Sequence, residues 1–143
     1  MSLNEKTSRI LLDVRIILSG LWAARMLSGL QGDSTRLHDP VALKGIIEGT
    51  GDVVVTNDLL LIMSFIFVVP ILMSFLTLIV KYPANRWVNL FIGIFFALFD
   101  LIYLGLELFL WQSISYEIVW SVMYLVCTGS VVWYAWKWPK QEV

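Results

Sequence analysis

Cysteine, histidine and charge are all scarce in this chain, and each shortage excludes something. A single cysteine, Cys127, has no partner for an intrachain disulfide. A single histidine, His38, excludes bis-histidine haem ligation and argues against a histidine-based metal centre. No cofactor is therefore expected. Charged residues make up 15% of the 143, against about a quarter in soluble domains. With a net charge of -1 there is no clustered basic face, so nucleic acid is not an expected partner. Internal repeats and low-complexity tracts are missing too. No nucleophile–base pair is legible, because Ser or Cys would need His38 to reach a distant segment. The GTGD stretch at Gly49 lacks the third glycine and the strand–helix setting of a nucleotide loop.

What the chain has instead is apolar length. Hydrophobic residues make up 59% of it and its mean hydropathy is +0.80, a membrane composition. Crossing about 30 Å of hydrocarbon takes about 20 apolar residues. Four runs qualify by eye: Ile10 to Leu30, Leu59 to Val80, Trp87 to Trp111 and Ile118 to Trp138. The expected fold is an all-α, four-helix transmembrane bundle forming one integral membrane domain over residues 1–143. Lys6 and Arg9 precede the first run as in a signal peptide. Asp13, Arg15 and Arg25 interrupt that run, however, and no small-x-small cleavage site follows, so it is expected to be retained.

Basic residues near the span ends set the expected orientation. Lys6, Arg9 and Arg15, then Lys81 and Arg86, then Lys137 and Lys140 all fall on one side of a chain that crosses four times. The other side carries Asp33, Asp39, Glu48, Asp52 and Asp58 around Arg36 and Lys44. Both termini are expected in the cytoplasm, with the protein in the inner (plasma) membrane. Trp133, Tyr134, Trp136 and Trp138 cluster where amphipathic rings prefer the headgroup layer.

The one sizeable connection, residues 31–57, contains DPVALKGIIEG. Asp39 as N-cap and Pro40 at the first helical position predict a short amphipathic helix, with Lys44 and Glu48 as an i,i+4 pair. It is too short to span, so it should rest at the outer interface or cover the helices. Pro70 in the middle of the second span removes a donor and predicts a kink.

In sequence, a charged start to the first span, D-P-x-x-L-K-x-I, K-Y-x-A-N-R-W-x-N and the closing W-Y-A-W-K-W resemble a family of short bacterial integral membrane proteins. Its members have four spans and no assigned function, so the resemblance implies fold and location but transfers no activity. A looser, architectural likeness links the chain to DoxX-like four-span proteins. Four-span multidrug carriers rely on a glutamate in the first span, which is absent here.

The unusual residues are the charges inside the apolar runs. FFALFDLIYLGLELFLW carries Asp100 and Glu107, and the first span carries Arg25. At about 1.5 Å per residue, Asp100 lies about 16 Å and Glu107 about 6 Å inward from Trp111, with Arg25 about 9 Å inward from Gln31. All three share the outer half, so Arg25 can reach either acid. Gly93, Ala97, Asp100, Leu104 and Glu107 recur at 4-3-4-3 spacing on one helix face, flanked by Asn89 and Tyr103. A small-residue seam of Gly20, Ala24 and Ser28 marks the first span, and Glu117, Ser121, Tyr124 and Thr128 form a polar stripe on the fourth. Arg25, Asp100, Glu107, Tyr103 and Asn89 are the candidate ligand-binding or ion-pair residues. Two readings stay open: charges that merely neutralise each other, or a polar pocket for a small amphiphile or a partner helix. A small proton-coupled transporter titrating Asp100 and a lipid- or quinone-modifying enzyme are the alternatives. The lipid bilayer, a bound lipid or amphiphile, and further copies of the chain are the candidate partners.

Overall fold

A computed structural model describes residues 3–50, 56–110 and 116–138, with side chains from residue 14 onward. Among these residues the chain is all-α, with five helices in the order α1 (Leu3–His38), α2 (Pro40–Glu48), α3 (Asn57–Ile79), α4 (Ala84–Phe109) and α5 (Tyr116–Lys137). Three of them, α3, α4 and α5, are long and apolar enough to cross a membrane. The expected first span is different. It lies within a helix of 36 residues that runs on through the polar turns after Leu30. Residues 31–38, read from sequence as loop, are thus helical.

The reason is local. Gly32 does not break the helix because it is where α5 comes closest: a Cβ there would sit 2.8 Å from the Tyr124 hydroxyl and 3.3 Å from Trp120 Cγ. The helix ends only when Pro40 forces the residue before it out of the α region, and Asp39 has φ -82° and ψ 114°. Asp39 then starts α2 as expected, its Oδ1 accepting from the Val41 amide at 2.9 Å and the Ala42 amide at 3.4 Å. Gly49 closes α2 at φ 65°, a left-handed turn that glycine takes without a Cβ penalty. The Lys44–Glu48 pair forms at 3.9 Å on the exposed face. No residue of α2 is buried, so it does not cover the other helices. Gly51 lies outside the described residues.

The four long helices alternate in direction. At one end Arg36 of α1 pairs with Glu117 of α5 at 3.7 Å, and Tyr116 donates to Asp39 at 3.2 Å. At the other end Arg86 of α4 donates to the Ala135 and Trp136 carbonyls of α5 at 3.2 and 3.1 Å. Those carbonyls have no partner within their own helix, and a cation suits the negative end of its dipole. Asn85 does the same for α3, donating to the Thr77 and Val80 carbonyls at 2.7 and 2.8 Å.

Side by side, α1 packs against α3 and α5, and α5 packs against α4, while α3 and α4 touch far less despite their short hairpin. Leu18, Trp22, Met73, Phe96, Val131 and Trp138 form the apolar core. The α4–α5 approach depends on Gly93, where a Cβ would come within 3.0 Å of Val131 Cγ1 and 3.2 Å of Val132 Cγ2. Of the small seam expected on α1, Ser28 is buried and Ala24 half-buried, while Gly20 is exposed with nothing near its missing Cβ. Pro70 is buried inside α3, which continues through it from Asn57 to Ile79.

Two outcomes follow from these contacts. Gly93→Leu should destabilise the detergent-solubilised protein by about 1–3 kcal/mol, the scale of overpacking, while Gly105→Ala, with open space around it, costs nothing. Equal melting temperatures for both variants would show that α4 and α5 are not in close contact. The second outcome concerns Asp39, whose carboxyl the Val41 amide holds below its ordinary range, with the Ala42 amide and Tyr116 adding to the effect. Its folded value lies under the unfolded one of about 3.9. The cap's contribution is therefore complete above about pH 4 and is lost as pH falls through the lower, folded value. The protection factor of the Val41 amide, its exchange rate compared with an unstructured amide at the same pH, should fall in that acid window in the native protein and stay unchanged in Asp39→Asn.

Candidate functional site

Every buried polar group of α4 lies on one stripe, where Asn85 and Asn89 share Thr77 while Asp100 and Glu107 meet different partners. Asn85, Asn89, Gly93, Phe96, Asp100 and Glu107 are all buried at steps of three, four or seven residues. Phe96 belongs to this stripe and Ala97 and Leu104 are half-buried at its edge, a small rotation from the face expected.

Toward the end where α1 and α4 finish, Asp100 is 1% exposed and Arg25 6%. Arg25 Nη2 donates to Asp100 Oδ1 at 2.5 Å and Nε donates to Oδ2 at 3.2 Å, a bidentate fork. Thr128 of α5 donates to the same Oδ2 at 3.1 Å. The guanidinium lies over the Phe96 ring, 4.5 Å from its centroid, and 5.7 Å from that of Tyr124. The arginine therefore does not reach outward to the interface. An aromatic face, a carboxylate and burial hold it in place.

Glu107, which its depth alone would leave near the interface, is 1% exposed. It does not meet Arg25. Ser121 donates to it from α5, and Tyr103, one turn before it, hydrogen-bonds to the same carboxyl. The stripe on α5 thus divides its labour: Thr128 serves Asp100 and Ser121 serves Glu107. Beside Glu107 a chamber of about 30 Å³ is lined by Asp33, Arg36, Tyr103, Glu117 and Tyr124 among others. That is room for a water, which needs about 10–15 Å³ by the same kind of measure.

A larger cavity, about 130 Å³, lies on the other side of Tyr103 and Tyr124, where α3 stands away from α4. Arg25, Asp100, Asp33 and the two tyrosines supply its polar wall, and Met63, Ile66, Phe67 and Phe99 its apolar one. Sequence reasoning takes Met63 and Phe67 of α3 for packing residues, because their helix shows no polar anomaly at either position. The tyrosine on α5 was visible as part of a stripe.

Asn89, the fifth candidate, belongs to a separate cluster one aromatic layer further in. It accepts from Trp22 Nε1 at 2.8 Å and from Thr77 at 3.2 Å, and donates to the Asn85 carbonyl and side-chain oxygens at 2.9 and 2.7 Å. With its hydrogen-bonding capacity used in this way, Asn89 has a structural place and does not line either cavity. His38 bonds its own helix, Nδ1 lying 2.7 Å from the Ser34 carbonyl. Among the described residues no group of acids, histidines or cysteines is placed to hold a metal. Asp13, one of the charges that interrupt the first apolar run, has its side chain outside the described residues.

Against known proteins, the profile of a family of unknown function, DUF6326, matches residues 11–143. The chain belongs to that family. The match takes in all of α3, α4 and α5 and the part of α1 that carries Arg25. No curated protein and no solved structure matches the chain. DUF6326 membership brings no activity with it, so the arrangement of side chains has to carry the functional reading.

The pairing of Arg25 has a measurable signature. Leaving one charge of a buried pair alone costs about 3–5 kcal/mol, while replacing both with apolar side chains costs much less. Arg25→Leu should lower the unfolding free energy in micelles by that amount, and Arg25→Leu/Asp100→Leu should recover most of the loss. Arg25→Leu/Glu107→Leu should not recover it. Additive losses in the Asp100 double variant would show that the two charges are not coupled.

Proposed function

We propose that this chain is a non-enzymatic integral membrane protein that binds a small amphiphile in the cavity between α1, α3 and α4. In this reading α1 joins the three apolar helices as a fourth crossing and the whole is a four-helix transmembrane bundle. Its charge is neutralised where it would meet lipid: Arg25 is bonded to Asp100. The basic end, with Lys81, Arg86 and Lys137, is the cytoplasmic one and both termini lie there, in a plasma (inner) membrane. The opposite, acidic end carries α2 at the outer surface.

The observation that carries the reading is the cavity itself. About 130 Å³ of space adjoins an ion pair joined by two hydrogen bonds and two tyrosines at one side and methionine, isoleucine and phenylalanine at the other. Ligand sites are mostly apolar with a few placed polar groups, and this one has that mixture at membrane depth. Met63 and Met26 add unbranched side chains that adapt to a ligand's shape. A ligand's polar end fits against Tyr103 and Tyr124, and its hydrocarbon leaves through the loosely packed α3–α4 side into lipid. Arg25 and Thr128 together give Asp100 three donors, so in this reading it is a fixed part of the cavity wall that joins α1, α4 and α5.

A tryptophan in place of Phe67 reports on occupancy. Brominated alkyl amphiphiles added to the protein in maltoside micelles should quench Phe67→Trp fluorescence saturably. Phe75→Trp, on the exposed side of α3, should be quenched only in proportion to the amphiphile dissolved in the micelle. Identical, non-saturating curves at both positions would refute a binding cavity.

A further inference from the structure

We infer that the cavity selects an amphiphile with a methylated ammonium head. This rests on the amphiphile-binding reading of the same cavity and adds the chemistry of the head.

Charge comes first. Among the described residues Arg25 is the only cation lining the cavity, and Asp100 neutralises it through two hydrogen bonds. Asp33, exposed at the mouth, adds a further negative charge. Arg36 lines the smaller chamber beside Asp33 and acts on its charge, but Glu117 shares that arginine, so the two carboxylates outnumber it. The lining is therefore net negative, which disfavours a phosphate, sulfonate or carboxylate head. An anion would also meet an arginine whose Nε and Nη2 donors already point at a carboxylate.

Surface chemistry comes second. Four aromatic side chains, Phe67, Phe99, Tyr103 and Tyr124, line the space. Ring faces attract cations, most usefully weakly hydrated ones that shed water readily on entering an apolar site. A bare ammonium loses strong hydration there without enough acceptors to replace it, whereas a trimethylammonium does not need them.

Size comes third. An engineered apolar cavity of about 150 Å³ holds benzene, a ligand of six non-hydrogen atoms. About 130 Å³ accordingly takes a group of five or so, the size of a trimethylammonium with its first methylene. The rest of a long chain does not fit and must lie along the seam between α3 and α4.

The test compares decyltrimethylammonium, decanol and decyl sulfonate, each below its micellar concentration, by the melting temperature of the full chain in maltoside micelles. A ligand that binds only the native protein raises that temperature according to its occupancy. The ammonium should stabilise at about tenfold lower concentration than the alcohol, the scale of a desolvated cation–ring contact. The sulfonate should not stabilise. Asp33→Asn, an exposed change that leaves the helices intact, should weaken the ammonium response by up to about fivefold and leave the alcohol response unchanged. Equal potency of alcohol and ammonium, preference for the sulfonate, or an ammonium response indifferent to Asp33→Asn would overturn the selectivity while sparing amphiphile binding. Stabilisation by none of the three would overturn both.

Discussion

A guanidinium and a carboxylate that cannot afford to be apart set the geometry of this protein. Arg25 and Asp100 stand on α1 and α4, helices that do not pack along each other but face across the space between α3 and α5. Either charge alone in a low-dielectric interior costs several kcal/mol. Bringing them together fixes the rotation of both helices about their axes. With that rotation set, Trp22, three residues before Arg25, meets Asn89 and packs edge-on against Phe96. Glu107, seven residues beyond Asp100, turns toward Ser121. The same rotation keeps Phe91, Phe95, Leu98, Leu101 and Leu108 of α4 on the outside, where lipid would lie.

The polar residues form layers along the molecule. Glu107 with Ser121 and Tyr103 stand at the acidic end, then Arg25, Asp100 and Thr128, then the Trp22–Phe96 ring pair, then Asn89, Thr77 and Asn85 near the basic end. Each layer joins different helices, so together they specify which helices are neighbours, a task that apolar packing alone does poorly in lipid. The basic end adds its own ties, with Asn85 and Arg86 satisfying the final carbonyls of α3 and α5. Among the described residues no comparable tie joins α3 and α4 toward the acidic end, and that is where the larger cavity lies.

Much of this was legible before any coordinates. Apolar length located α3, α4 and α5 to within a few residues, and Asp39, Pro40 and Gly49 marked both ends of α2. Spacing put Asp100 and Glu107 on the buried face of α4, and depth brought Arg25 to the same level. Depth could not say which acid Arg25 meets, because each residue turns a helix by about 100° and nothing in the first span fixes its phase. Nor could it foresee that α1 continues to His38, since residues 31–38 have no apolar run and the Trp120 and Tyr124 that pack against Gly32 are distant in sequence. The cavity was invisible for a related reason. It is made by the separation of two helices, and the Met63 and Phe67 that line it look like any apolar residue.

The direct test of the diagonal pair is a distance in lipid. Magic-angle-spinning NMR with ¹⁵N-arginine and ¹³C-aspartate, in the full chain reconstituted in bilayers, measures dipolar dephasing between guanidinium nitrogens and carboxylate carbons. A bidentate Arg25–Asp100 pair gives strong dephasing that disappears in Asp100→Asn and survives in Glu107→Gln. Dephasing that is absent from the native chain, or unchanged by Asp100→Asn, would contradict it and leave α1 and α4 without the contact that sets their rotation.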